Sequence, residues 1–253
     1  MWSLFTLQSW INKCLPKNSN VSTYEFGKHL QFGGAMSDYI KISYADAMLL
    51  KISGYLNPIH LASLSDNIPD AYHHLKDLEL NPNQKVLIVS GKAKSVEIYS
   101  LLLAKALGVA EIDYVDNDRE RLEIAQKLKA NTVYSSYGEI TGKYDLVIDA
   151  SSTSNGLATA MKAVRNFGTL SSSGIYIKKT SLSLIEMYAK GVNFKIGFAN
   201  ARSDGERILK LMEKVEIPFK IATTKLDTWE NAVGAFLTET TKVIVKREQL
   251  NKY

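Results

Sequence analysis

Lys85-Val86-Leu87-Ile88-Val89-Ser90-Gly91-Lys92-Ala93-Lys94-Ser95-Val96-Glu97 joins an apolar run to the start of a helical pattern within a chain of 253 residues. The first five residues follow the turn-forming Asn81-Pro82-Asn83 and read as a strand buried on both faces. Ser95 is placed to cap a helix in which Val96, Tyr99, Leu102 and Leu103 recur at helical spacing, with Gly108 at its end. Residues 112–115 predict a second strand ending at Asp116, and residues 119–129 an amphipathic helix with Leu122, Ala125 and Leu128 on one face.

The alternation continues outward. Strands are expected at 132–134, 145–148, 169–172 and 193–198, and helices at 157–164 and 182–189. Six strands with intervening helices predict an α/β fold, a doubly wound parallel sheet covered on both faces. Outside this block, residues 35–42 and 47–52 predict antiparallel strands. After Asp204 come a helix, a strand at 219–223, another helix and a strand at 242–245. Residues 60–202 are thus expected to form a central domain, and residues 1–59 with 203–253 one small lobe. No internal repeat or low-complexity segment interrupts this plan.

Composition narrows the classes. With 45% apolar and 23% charged residues the chain is soluble and globular, which excludes a disordered tail, a collagen and a coiled coil. The net charge of +5 comes from lysines spread without a basic block, so no nucleic acid partner is expected. The single cysteine, Cys14, excludes an internal disulfide and a four-thiolate site and points to a reducing cytoplasm. No apolar stretch reaches the length of a membrane span. Residues 1–15 carry Trp2, Leu4, Phe5, Leu7, Trp10 and Ile11 without a basic region or a cleavage site, so no signal peptide is expected. They read as a helix face packed on the core or lying at a protein or membrane surface.

In a doubly wound sheet a dinucleotide lies beyond the carboxyl ends of the strands, and the turn after the first strand must admit its diphosphate. That turn calls for G-x-G-x-x-G, for a tight bend, close backbone approach and helix packing. Here Lys92, Lys94 and Glu97 stand at the three glycine positions. The lysines can attract phosphate as point charges, but a steric role is not restored by charge. Asp116, 19 positions after Glu97, is at the distance expected of an acid that accepts from a ribose hydroxyl, and favours NAD over NADP. It could equally cap the helix after Asn117 and Asp118.

Gly33-Gly34-Ala35-Met36-Ser37-Asp38-Tyr39-Ile40, Asp46-Ala47-Met48-Leu49-Leu50-Lys51-Ile52 and Leu64-Ser65-Asp66-Asn67-Ile68-Pro69-Asp70-Ala71-Tyr72-His73 add to the sheet pattern, with Thr241-Lys242-Val243-Ile244-Val245 near the other end. Together they resemble the zinc-dependent alcohol dehydrogenases of the medium-chain dehydrogenase/reductase superfamily, over residues 32–247. The resemblance implies a Rossmann domain, a GroES-like catalytic lobe, NAD(P), a dimer or tetramer, and hydride transfer between an alcohol and a carbonyl compound. It carries cofactor contacts onto Gly91, Lys92, Lys94, Ser95 and Val96, onto Asp116 and Arg121 at the adenosine ribose, and onto Ala150, Ser151, Gly174 and Ile175. Lys242 matches a basic residue reaching the diphosphate.

The departures are as informative. The long N-terminal lobe with its first cysteine ligand, Gly-His-Glu motif and four-cysteine loop is replaced by about thirty residues with no likeness to it. Asp66 aligns with the third zinc ligand, but Cys14, His29, His73 and His74 match none of the other ligand positions, so zinc is not expected. The histidine pair reads as a helix face turned partly to solvent. Tyr39, Tyr44 and Tyr72 are available proton donors that nothing selects between. Three readings follow: a weakly active or inactive NAD(H)-dependent oxidoreductase acting on a small alcohol or carbonyl compound; a non-catalytic scaffold; or an enzyme part whose metal lobe comes from a second polypeptide. The scaffold would dimerise, or bind another protein, through the last sheet edge near residues 169–176 and 193–198.

Overall fold

The computed structural model describes residues 36–40, 42, 44–76, 83–197 and 199–247. The segment 1–15 with Cys14, and His29, Gly33, Gly34, Ala35, Asn81 and Pro82, lie outside the described residues. Six strands form one parallel sheet: β1 (Lys85–Val89), β2 (Glu111–Val115), β3 (Thr132–Tyr134), β4 (Tyr144–Asp149), β5 (Val164–Ser172) and β6 (Asn193–Ile196). Their spatial order is β3-β2-β1-β4-β5-β6, the doubly wound arrangement expected from the alternating pattern. Winding reverses at β1, which pairs with β2 on one side and β4 on the other.

The helices are α1 (Ala45–Met48), α2 (Asn67–His73), α3 (Ser95–Ala106), α4 (Arg119–Lys127), α5 (Ser154–Ala163), α6 (Leu184–Lys190), α7 (Ala201–Met212) and α8 (Ala232–Phe236). Because strand side chains alternate between faces, Val86 and Ile88 pack with Ile112, Tyr114 and Ile148 against α2, α3 and α4. Leu87 and Val89 pack with Val115, Val147 and Leu170 against α5. Both faces are covered, which is why β1 has no polar alternation to read.

Helix α3 is buried from Ser95 to Ala104, all the way round, rather than along one face. A helix enclosed by sheet, α2, α4 and the Phe219 turn buries every side it has. On α4 the buried positions are Arg121, Ile124 and Ala125, with Leu122 only half-buried. Strand β5 starts straight after α5, and its pairing with β4 skips from Val164 to Thr169. Exposed Arg165, Asn166 and Phe167 fill the irregularity, with Phe167 at φ 59, so the regular strand begins where the sequence pattern placed it.

Two expectations fail near the ends. Residues 36–39 form bends and Ala45–Met48 is a helical turn, not antiparallel strands. Ala and Met favour helix, and among the described residues no strand pairs with this segment. Residues 219–223 are not a strand either. Pro218 precedes a 3-10 turn, Phe219–Ala222, that buries both end residues at its three-residue spacing. The strand comes later, as β7 (Lys225–Thr228), which pairs in parallel with β8 (Val243–Lys246).

Asp204 of α7 is buried and takes both carboxylate oxygens to Lys76, at 2.9 and 3.0 Å, with His73 at 3.6 Å. Burial pushes its pKa up, but the bonds from His73, Lys76 and the Asn200 amide outweigh this and hold it below the ordinary carboxylate value. A depressed folded pKa contributes stability above the unfolded value of about 3.9, lost as pH falls through the folded one. Asp204→Asn should therefore lose about 3 kcal/mol at neutral pH in urea unfolding, with the deficit shrinking below about pH 4. A deficit unchanged at pH 3 would show that the ion pair is not its source.

Candidate functional site

The carboxyl ends of β1, β2 and β4 converge on one place, and three turns meet there. The turn after β1 is held against the turn after β4: Lys92 N–H donates to the Ser151 carbonyl and Ala93 N–H to the Ala150 carbonyl, each at 3.2 Å. Gly91 has no room for a side chain, since a Cβ there would lie 2.6 Å from the Ser151 oxygen. Tyr137 closes the side of the same turn by donating to the Ser90 carbonyl at 2.6 Å.

The entry to α3 differs from the expected cap. Lys94, not Ser95, precedes the first helical residue, and it makes no side-chain cap bond. Its backbone has φ 48 and ψ −88, a conformation that suits glycine and strains an L-residue. Lys94 Nζ sits 3.8 Å from Glu239, while Lys92 is exposed. Ser95 and Val96 are buried. Glu97, in the third glycine position, is completely enclosed; its Oε1 accepts Gly91 N–H at 2.8 Å and its Oε2 has no partner among the described residues. Burial pushes this carboxyl well above the usual carboxylate range, against the pull of the Gly91 bond and Arg121.

Asp116 neither caps the next helix nor stands free. Asp118 is the cap, accepting from Arg121 N–H at 3.0 Å. Asp116 accepts from Arg121 Nε at 2.6 Å and Nη2 at 2.8 Å, from Tyr114 Oη at 3.0 Å, and from the Asn117 and Asp118 amides at 2.8 and 3.0 Å. Five donors saturate a carboxylate. The two residues expected at an adenosine ribose are thus bonded to each other, a bidentate buried pair.

At the end of β4, Asp149, which was not among the expected site residues, gathers a network. Its oxygens accept from Ser151 Oγ at 2.6 Å, Ser172 Oγ at 2.7 Å and Tyr176 Oη at 2.5 Å. Gly174 N–H donates to Ser172 Oγ and Ile175 N–H to Ser152 Oγ, so both expected contacts belong to this cluster, with buried Ala150 beside it. An acid at the end of an otherwise apolar strand was the available signal.

Lys242 Nζ donates to Asn67 Oδ1, and burial, partly offset by Asp66, lowers its pKa. Asp66 is therefore an exposed carboxylate beside an ammonium group. Among the described residues no three His, Cys, Asp or Glu side chains are grouped to hold a metal ion, and those around Asp66 do not fit a zinc centre. The histidine pair departs from its expected surface role, because His74 is buried and its Nδ1 lies 2.7 Å from Ser171 Oγ. Tyr39 and Tyr44 are exposed.

Residues 98–214, from α3 to just beyond α7, match the family model described as zinc-binding dehydrogenase. The matched residues take in β2 to β6 and the helices between them. D-xylulose reductase A of Aspergillus niger is 23% identical over 180 residues, 66% of this chain and 50% of that protein. The chain spans about half the length of the curated relatives it matches. Its fold is that of the alcohol dehydrogenase TADH from Thermus sp. ATN1, with TM-score 0.77 and 24% identity over 85% of this chain and 66% of that one. It is also that of a short chain alcohol dehydrogenase from E. coli CFT073 complexed with NADH, with TM-score 0.68 and 17% identity over 78% and 61% of the two chains.

Relieving the strained turn should stabilise this domain. Lys94→Gly is expected to raise stability by about 1 kcal/mol in denaturant unfolding, since glycine tolerates the observed backbone. Lys94→Ala, which keeps the strain, should not.

Proposed function

We propose that the chain is the nucleotide-side portion of an alcohol dehydrogenase-like oxidoreductase, of the class that moves a hydride between an alcohol and an aldehyde or ketone with NAD(H). The observation that supports this most directly is the winding reversal at β1, with Asp116 just beyond β2, next to a segment, residues 98–214, matched as zinc-binding dehydrogenase. The residues around it are those expected to meet the cofactor: Gly91, Lys92, Lys94, Ser95 and Val96; Asp116 and Arg121; Ala150, Ser151, Gly174 and Ile175; and Lys242. As arranged, the turn does not fit a diphosphate, because Glu97 holds the Gly91 amide and Arg121 holds Asp116. Cofactor affinity is accordingly weak in this reading, and with no zinc donor set among the described residues turnover is slow or lost. A lobe built from residues 1–59 and 203–253 around a domain at 60–202 is supported by Arg247, which bonds the Ser37 carbonyl at 3.2 Å and pairs with Asp38. The single cysteine suits the cytoplasm, and among the described residues no helix is long and apolar enough to cross a membrane.

A second reading, a non-catalytic scaffold that pairs with a copy of itself, draws on a different observation. Along the last sheet edge Ile175, Ile177, Leu184, Ile185, Tyr188 and Ile196 are exposed, and α6 buries no residue. Such a band is larger than scattered surface apolar residues require, and β6 leaves one backbone edge without a strand among the described residues.

Two measurements separate these readings. NADH at 100 times its dissociation constant should stabilise a binding protein by about 2.7 kcal/mol, so a rise in melting temperature at millimolar NADH supports the oxidoreductase. Its absence would favour the scaffold. Light scattering should give a dimer that Ile185→Lys with Tyr188→Lys converts to monomer; a wild-type monomer at micromolar concentration would rule the sheet-edge dimer out.

A further inference from the structure

Glu97 is a buried acid that the fold leaves half satisfied. It has no exposed surface, it sits in the first turn of α3 inside the core, and Oε2 lacks a partner among the described residues. An enclosed polar atom without a bond is costly, so this side chain is not explained by stability. Its reach is more telling. From the first turn of the helix it bends back six residues and takes the amide of Gly91 at 2.8 Å, across the mouth of the turn after β1. That mouth is where a dinucleotide-binding sheet presents main-chain N–H groups to a diphosphate. The turn already sits hard against Ser151, leaving it little freedom to move away.

We propose that Glu97 is an internal plug of the diphosphate position, its carboxyl occupying the Gly91 amide and the space before it that a phosphate oxygen would need. The inference rests on the reading that this crevice takes NAD(H), and it names the one residue that sets the affinity. The other departures from the glycine pattern cannot act this way, since Lys92 is exposed and Lys94 points to Glu239. The obstacle is bulk and a contested hydrogen bond, not the sign of a charge. Truncation should remove it, and an amide of the same size should not.

The test compares the full chain with Glu97→Gly, Glu97→Ala and Glu97→Gln, each checked for folding by circular dichroism. Affinities are measured by fluorescence titration for NADH and by calorimetry for ADP and for adenosine, which carries no phosphate. Either truncation should bind NADH and ADP about tenfold or more tightly than wild type, while Glu97→Gln stays within about threefold and adenosine binding is unchanged. Equal NADH affinity in wild type and both truncations would overturn the plug while leaving the NAD(H) reading intact. A gain for ADP without NADH binding would keep the plug and defeat that reading. No binding of NADH or ADP by any variant would defeat both, and a gain by Glu97→Gln as large as by truncation would replace bulk with charge and overturn the steric mechanism.

Discussion

The contact between two backbones, the turn after β1 and the turn after β4, is the constraint on which the site depends. Gly91 is pressed so closely against Ser151 that no Cβ fits, and two amide bonds tie the turns together. They meet at the point where the sheet reverses its winding, the place where an open α/β sheet has its crevice. Rigid closure there fixes the directions of α3 and α5 and brings Glu97, Arg121, Asp116 and Asp149 into one small volume.

Within that volume the polar groups serve one another. Asp116 and Arg121 bond each other, Asp149 collects three hydroxyls, and Glu97 takes a main-chain donor. A buried charge needs such partners, because desolvation otherwise outweighs what burial gains. In the proposed dinucleotide reading, Asp116 and the Gly91 amide are the groups that would meet a ribose and a diphosphate. Here Asp116 and Asp149 find their partners within the protein, while Glu97 Oε2 stays without one among the described residues.

Much of the architecture was legible because it follows from short-range patterns. The unbroken apolar run of β1 announces a strand covered on both faces, and the alternation after it announces a parallel sheet. The errors came where pattern and packing diverge. Residues 219–223 look like a strand, yet Pro218 and the spacing of Phe219 and Ala222 make a 3-10 turn that buries those two residues. Ser95 looks like a cap, yet the backbone of Lys94 takes the chain into the helix one residue earlier. His74 carries no sign in sequence that it lies beside Ser171, 97 residues away.

The sequence by itself determined the sheet, its winding and the substitution of all three glycine positions, since these rest on hydrophobic periodicity and residue identity. Only the tertiary structure decided what the substituted residues do. Whether Asp116 awaits a ribose or is saturated by Arg121, and whether Glu97 faces solvent or reaches back to Gly91, depends on distances of a few ångströms between segments far apart in the chain. Local patterns do not encode such distances, because they arise only when the three turns are packed together at the end of the sheet.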